Sequence, residues 1–314
     1  MTVATEGKED LVFRDELGGR PTTAFRVLVP VANPLTCGAM IQLAAALASQ
    51  RSGEVIALHI VSTLNHGIDD ESKRSAESRR SIMEEAVNYG RGLPSPVHTV
   101  TRVAGSIAQG ILDTAREENA SLIVMGWQGR VRSISLGTSL GEVLDPVIKE
   151  APCDLAVVKS HGLTSIQRIL VPTAGGPNAV LALNVAMALS KVYHSEITLL
   201  HVAKGADQGQ GRRMIARTIA GVRGKKSIRQ EVIIAGNVVK GILKEVKDYD
   251  LVILGATRQG VFRQILFGSV PEGVAKRCPK TVIMVKGYEG PLVSGLRRVW
   301  TTFLGARSLI AAVR

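Results

Sequence analysis

Cysteine is scarce in this chain: 3 in 314 residues, Cys37, Cys153 and Cys278, each more than a hundred residues from the next. That spacing holds no CxxC pair and excludes both a zinc knuckle and a dense disulfide framework, so a reducing compartment, the cytoplasm, is expected. Aromatic residues make up only 4% of the chain, too few for the stacking platforms that hold single-stranded nucleic acid. No apolar run reaches the roughly 18 residues that a membrane-spanning helix needs. The first ten residues are polar and mostly acidic, without the basic-then-apolar pattern of a secretory signal. There is no HExxH, no nucleophile elbow and no pair of carboxylates flanking a glycine loop in both halves, so no catalytic residue and no metal ligand can be nominated.

What is present is an ordinary globular composition, 45% apolar and 21% charged, over a length that suits two domains. The net charge of +12 is unevenly spread: −2 over residues 1–23, −1 over 24–160, +11 over 161–290 and +4 over 291–314. A one-sided field of this kind favours an anionic ligand, an acidic protein or an anionic membrane surface. The segment 204–229 carries Arg212, Arg213, Arg217, Arg223, Lys225 and Lys226. No helix-turn-helix, RRM or KH signature accompanies them, so specific nucleic-acid recognition is not expected. In 291–314, Leu292, Leu296, Val299, Trp300 and Phe303 recur at helical spacing beside arginines alone. This predicts a basic amphipathic helix that docks on its own domain, dimerises or lies in a membrane interface.

The chain repeats itself. Phe25-Arg26-Val27-Leu28-Val29-Pro30 returns as Gln167-Arg168-Ile169-Leu170-Val171-Pro172, and Ala57-Leu58-His59-Ile60 as Leu199-Leu200-His201-Val202. Leu122 to Gly126 returns as Leu251 to Gly255, Leu136-Gly137-Thr138 as Phe267-Gly268-Ser269, and Cys153 to Val158 as Cys278 to Val285. Landmarks in one order, offset by 142 residues at the start and about 130 at the end, mark a tandem duplication. Each copy has five continuously apolar runs of the kind that a sheet covered on both faces requires. Between them, Pro34–Arg51 and Pro177–Tyr193 read as amphipathic first helices, Asp69–Arg91 and Asp207–Arg223 as second helices, and Ser106–Glu118 and Asn237–Asp248 as third. The expected fold is α/β: two doubly wound parallel five-stranded sheets in tandem. A flexible segment 1–23 precedes domains at 24–160 and 161–290, and the basic helix 291–314 follows.

Ligands of open parallel sheets bind beyond the carboxyl ends of the strands. After the fourth strand, copy two reads Gly255-Ala256-Thr257-Arg258, nine further residues, then Gly268-Ser269 opening a helix. Such glycines let main-chain N–H groups approach a phosphate at a helix start. With these landmarks in both copies, residues 24–287 resemble a tandem universal stress protein of the UspA family, whose nucleotide-binding members carry G-x2-G-x9-G-[ST] at this loop. Copy one has Gly126 and Gly129 but only seven residues before Gly137-Thr138; copy two keeps the spacing but has Arg258 in place of the second glycine. The acid that ends the first strand in nucleotide-binding relatives is replaced by Ala32 and Ala174.

The resemblance implies a regulatory module that binds ATP or another adenine nucleotide, mainly in the second domain, with slow hydrolysis left open. There Val202 would hold the adenine through its backbone, with Thr173 nearby. Gly255, Gly268 and Ser269 would donate to phosphate, and Arg258 and Arg263 would pair with its charge. Gly126, Gly129, Gly137 and Thr138 are the counterparts in copy one. The fifth strands, Leu155–Val158 and Val282–Val285, would meet in an internal pseudo-dimer, and a homodimer of chains is a further expectation. The alternative is a scaffold that binds no nucleotide, or a cytoplasmic regulatory module of a membrane transporter. Four other expectations concern structure. His59 and His201 read as hydrogen-bonded core histidines, and Cys153 and Cys278 as structural. Ser269 with Glu272, and Ser139 with Glu142, read as capping boxes.

Overall fold

A computed structural model describes residues 2–5, 11–15, 25–63, 83–128, 140–162, 165–205, 208–222, 227–257 and 266–290. After two short strands, β1 (Thr2–Thr5) and β2 (Leu11–Asp15), the first half runs β3 (Arg26–Pro30), α1 (Pro34–Ser49), β4 (Glu54–Ser62), α2 (83–90), β5 (Val97–Ala104), α3 (Ile107–Glu117), β6 (Leu122–Gly126), α4 (Leu144–Glu150) and β7 (Asp154–Lys159). The second half repeats the series as β8 (Arg168–Pro172), α5 (Pro177–Tyr193), β9 (Glu196–Ala203), α6 (Gln208–Ala220), β10 (Ile228–Ile234), α7 (Val238–Glu245), β11 (Leu251–Gly255), α8 (Ser269–Arg277) and β12 (Thr281–Lys286). Ser106 and Asn237 cap α3 and α7, their side chains accepting from the N–H groups of Gln109 and Lys240.

The two expected sheets are one. Twelve strands lie in the order β1-β2-β5-β4-β3-β6-β7-β12-β11-β8-β9-β10. Each half is parallel within itself, and β7 joins β12 antiparallel, Val158 opposite Ile283. The fifth strands therefore meet as the resemblance implied, and main-chain pairing removes what would have been two exposed edges. The N-terminal segment, expected to be flexible, contributes β2, which pairs antiparallel with β5, Phe13 opposite Thr101. Its apolar triplet Leu11-Val12-Phe13 finds a free strand edge, which a polar composition taken as a whole concealed.

One face of the sheet is covered by α1 and α5, which pack on each other across the halves, and one core runs through both. Their residues are buried nearly all round: in α1 the stretch Leu43–Ala48 is inside, and α5 buries Ala182, Leu183, Ala186 and Leu189. The expected amphipathic pattern is absent because these helices lie between sheet and partner helix instead of between sheet and water. The other face carries α3, α4, α7 and α8 over a second core. There the halves are cross-linked. Lys159 Nζ, at the end of β7, donates to the carbonyls of Ala275 (2.8 Å) and Cys278 (3.5 Å) at the end of α8. Lys286 Nζ, at the end of β12, donates to the Ile148 carbonyl (2.6 Å) in the last turn of α4. Each ammonium meets the negative end of a helix that belongs to the opposite half.

Candidate functional site

A cavity of about 570 Å3 opens in the second half at the carboxyl ends of β8, β9 and β11, where open parallel sheets bind ligands. Val202, Val238, Ile242, Leu254 and Val270 form its apolar wall. Its polar lining includes Asn178, His201, Lys204, Gln210 and Thr257; among the described lining residues Lys204 carries the only positive charge and there is no carboxylate. Such a vessel suits a flat apolar body with an anionic extension.

The sequence candidates distribute unevenly around it. Val202, Thr173 and Gly255 line the cavity, whereas Gly268 and Ser269 immediately precede Val270 and Pro271, which line it. Arg258, Arg263, Gly129, Gly137 and Thr138 lie outside the described residues, as do residues 291–314. Gly255 is required by packing: a Cβ there would overlap the Asn178 carbonyl in the first turn of α5. Gly268 has φ +104, and a Cβ would overlap the Thr257 hydroxyl. Both glycines therefore have a steric reason that holds without any ligand. Thr173 is tied as well, its hydroxyl paired with that of Thr218 (2.6 Å) and accepting from Gly175 N–H (3.0 Å).

The capping box of copy two takes another form. Gly268, not Ser269, occupies the N-cap of α8, and Glu272 reaches back past it: Oε1 accepts from Leu266 N–H (2.8 Å) and Phe267 N–H (3.1 Å). In copy one the Oδ1 of Asp145 does the same work, accepting from Leu140 N–H (2.9 Å) and Gly141 N–H (3.1 Å); Ser139, the expected partner of Glu142, lies outside the described residues. A first-turn carboxylate satisfies loop donors better than a serine cap because its charge also suits the positive helix end. Thr257 N–H donates to the Phe267 carbonyl (2.8 Å), so both ends of the intervening loop are fixed against each other at the cavity.

The histidines are hydrogen-bonded as expected but only half-buried, and His201 lines the cavity instead of lying within a core. His201 Nδ1–H donates to the Thr173 carbonyl (2.8 Å) and His59 Nδ1–H to the Val31 carbonyl (3.0 Å), each pinning a second strand to the loop after the first. In the neutral ring this leaves the His201 Nε2 lone pair as acceptor. Cys37, Cys153 and Cys278 are free and buried; burial, with a nearby carboxylate, pushes the Cys37 thiol up to about 11 and the Cys153 thiol up to about 12. Thiols so held are poor nucleophiles. Among the described residues no group of His, Cys, Asp and Glu could hold a metal ion, and no helix is long and apolar enough to cross a membrane.

Two decisive residues were missed at the sequence level. Asn178 joins α5 to two strand ends, donating from Nδ2 to the Ala256 carbonyl (2.9 Å) and accepting at Oδ1 from Gly287 N–H (2.9 Å). The other is Trp127. It follows Gly126 as Ala256 follows Gly255, and both N–H groups donate to the fifth strand, to Val158 (2.7 Å) and Val285 (2.8 Å). Ala256 lines the cavity, whereas Trp127 is 5% exposed and packs within the second core. Copy one thus carries a buried indole at the position where copy two has an alanine on the cavity wall. Extending the repeat by one residue past each glycine would have shown the difference.

A duplicated, doubly wound α/β protein with a crevice at the strand ends of one copy is the class that this geometry defines. The chain belongs to the universal stress protein family, whose signature matches residues 24–159 and again 165–286. It is 27% identical over 270 residues to the Na(+)/H(+) antiporter NhaS5 of Synechocystis sp., a match that covers 83% of this chain but only 38% of the antiporter. A universal stress protein from Archaeoglobus fulgidus DSM 4304 shares its fold at a TM-score of 0.58 and 20% identity, covering 84% of this chain and 97% of that one. The cytoplasmic domain of a prokaryotic cation chloride cotransporter does so at 0.54 and 12% identity, over 83% and 95%.

Proposed function

We propose that the protein is a cytoplasmic, non-catalytic regulatory module that holds one adenine nucleotide in its second half. The observation that carries this reading is the cavity of about 570 Å3 at the ends of β8, β9 and β11, with an apolar wall and Lys204 as the only positive charge among its described lining residues. A purine fits between the Val202 backbone and the Ile242 and Leu254 side chains. Its phosphates extend towards Lys204 or the start of α8, where first-turn N–H groups lack intrahelical acceptors. Recognition rests on shape and main chain, since Ala174 supplies no acid for a ribose. Trp127 makes copy one the structural half.

The test begins with purified full-length chain, acid-quenched, and a mass-spectrometric inventory of what it releases. Calorimetric titration with ATP, ADP and AMP follows. A bound adenine nucleotide, or stoichiometric binding of one, is the expected result. No released nucleotide, together with no heat and no thermal stabilisation at millimolar ligand, overturns the reading.

A second reading is favoured by the match to an antiporter, of whose length this chain spans 38%: the module regulates a membrane transporter. Flotation with anionic liposomes, with and without residues 291–314, tests its membrane contact. Flotation that depends on the tail supports it, and equal behaviour of both forms removes the tail from the account.

A further inference from the structure

The duplicated sheet has used its fifth-strand edges on each other, which leaves the third strand of each half, β5 and β10, as the remaining edges of the parallel sheets. These two strands are equivalent: β5 pairs with β4 from Val97 opposite Val55, and β10 with β9 from Ile228 opposite Ile197. Their fates differ. β2 covers β5 at Thr99–Arg102, whereas the matching stretch of β10, Gln230–Ile233, ends the sheet among the described residues. β10 is seven residues long, paired in full along its inner side, and finishes at Ile234, which is 54% exposed. A row of unmatched main-chain donors and acceptors on an ordered strand is a template for another strand.

The sequence of that edge names the occupant. Ile228-Arg229-Gln230-Glu231-Val232 is its own complement about Gln230. An antiparallel pair related by a two-fold axis through Gln230 sets Arg229 opposite Glu231 of the partner subunit and Ile228 opposite Val232 of the partner subunit. Arg229 and Glu231 share a face, joined by an ion pair of 2.7 Å, so that four charges alternate around the axis. On the other face, Ile228 and Val232 already pack against the core beneath α5 and α6, and pairing would extend that apolar layer across the axis. An isologous contact of this form closes on itself and leaves no further edge.

We propose that two copies of the chain associate through β10, antiparallel and centred on Gln230, joining two 12-stranded sheets into one. The surplus positive charge of this half also suits an acidic peptide, but a peptide accounts only for the charge and not for the symmetry of the edge.

Sedimentation of the full chain from low micromolar to near-millimolar concentration tests this. Wild type is expected to pass from monomer to dimer. Arg229→Glu sets like charges opposite each other twice and should raise the dimer dissociation constant about tenfold. Arg229→Glu with Glu231→Arg restores alternation and should recover most of the loss. Arg217→Glu makes the same change in net charge on the exposed face of α6 and should not weaken association. A wild-type chain that stays monomeric throughout overturns the proposal. So does an Arg229→Glu chain that dimerises as wild type does, or a double variant no better than the single.

Discussion

Replacing Ala256 by tryptophan would copy into the second half what Trp127 does in the first. The main chain is prepared for it, because both positions hold the same N–H to fifth-strand hydrogen bond and both follow a glycine at the end of the fourth strand. The cavity of about 570 Å3 has room for an indole, so the change fills space instead of overpacking a closed core. Burying a large apolar side chain contributes about 1.5–3 kcal/mol. Against this stands the indole N–H: Trp127 Nε1 is buried with no acceptor among the described residues, an omission that costs about 1–3 kcal/mol. The two contributions nearly cancel, and the unfolding midpoint of Ala256→Trp should move by less than about 5 °C. Nucleotide affinity should fall at least about 100-fold, or 2.7 kcal/mol, because the base and the indole compete for one volume. Calorimetric titration and scanning calorimetry on the same preparation read both quantities. Undiminished affinity in a folded variant would refute the placement of the site, and a collapse in the midpoint would refute the equivalence of the two positions.

Gly268→Ala should lower stability by about 1–3 kcal/mol in urea denaturation, since φ +104 and the Thr257 hydroxyl both oppose a Cβ; an unchanged midpoint would show that the loop end relaxes freely. Lys159→Met and Lys286→Met should each cost about 1–2 kcal/mol, and the double variant their sum, because each lysine caps a different helix. A strongly non-additive double would mean that the two contacts act as one. The buried thiols give a pH dependence. Burial pushes the Cys37 and Cys153 thiols from an ordinary 9.0 up to about 11 and about 12 in the folded chain, so the folded state favours the neutral thiol. The stabilisation is complete below about pH 9 and is lost as pH rises through the folded values. Cys37→Ala with Cys153→Ala should flatten the alkaline limb of the stability profile, and an identical limb would contradict the assignment.

Repetition made the fold readable. Five apolar runs per copy, the caps Ser106 and Asn237, and the order of landmarks needed only local chemistry and one internal comparison. What escaped depends on atoms brought together from far apart. Helices α1 and α5 read as amphipathic because no local pattern shows that each will cover the other. Glu272 and Asp145 read poorly because a carboxylate can satisfy loop N–H groups behind the cap as readily as the cap itself. Asn178 gave no signal as a polar residue early in a helix, and its meaning lies in two strand ends 78 and 109 residues away. At the crevice, glycine spacing suggested only a ligand, whereas Gly255 and Gly268 already answer to Asn178 and Thr257.

The crossed lysines give the duplication a thermodynamic meaning. In a protein made of separate subunits, such a seam would form only above some concentration and would come apart on dilution. Here both sides of the seam are tethered through the short stretch between Lys159 and Arg168, which replaces bulk concentration with a fixed local one. The pairing that holds the two halves in register is therefore insensitive to how much of the protein a cell makes.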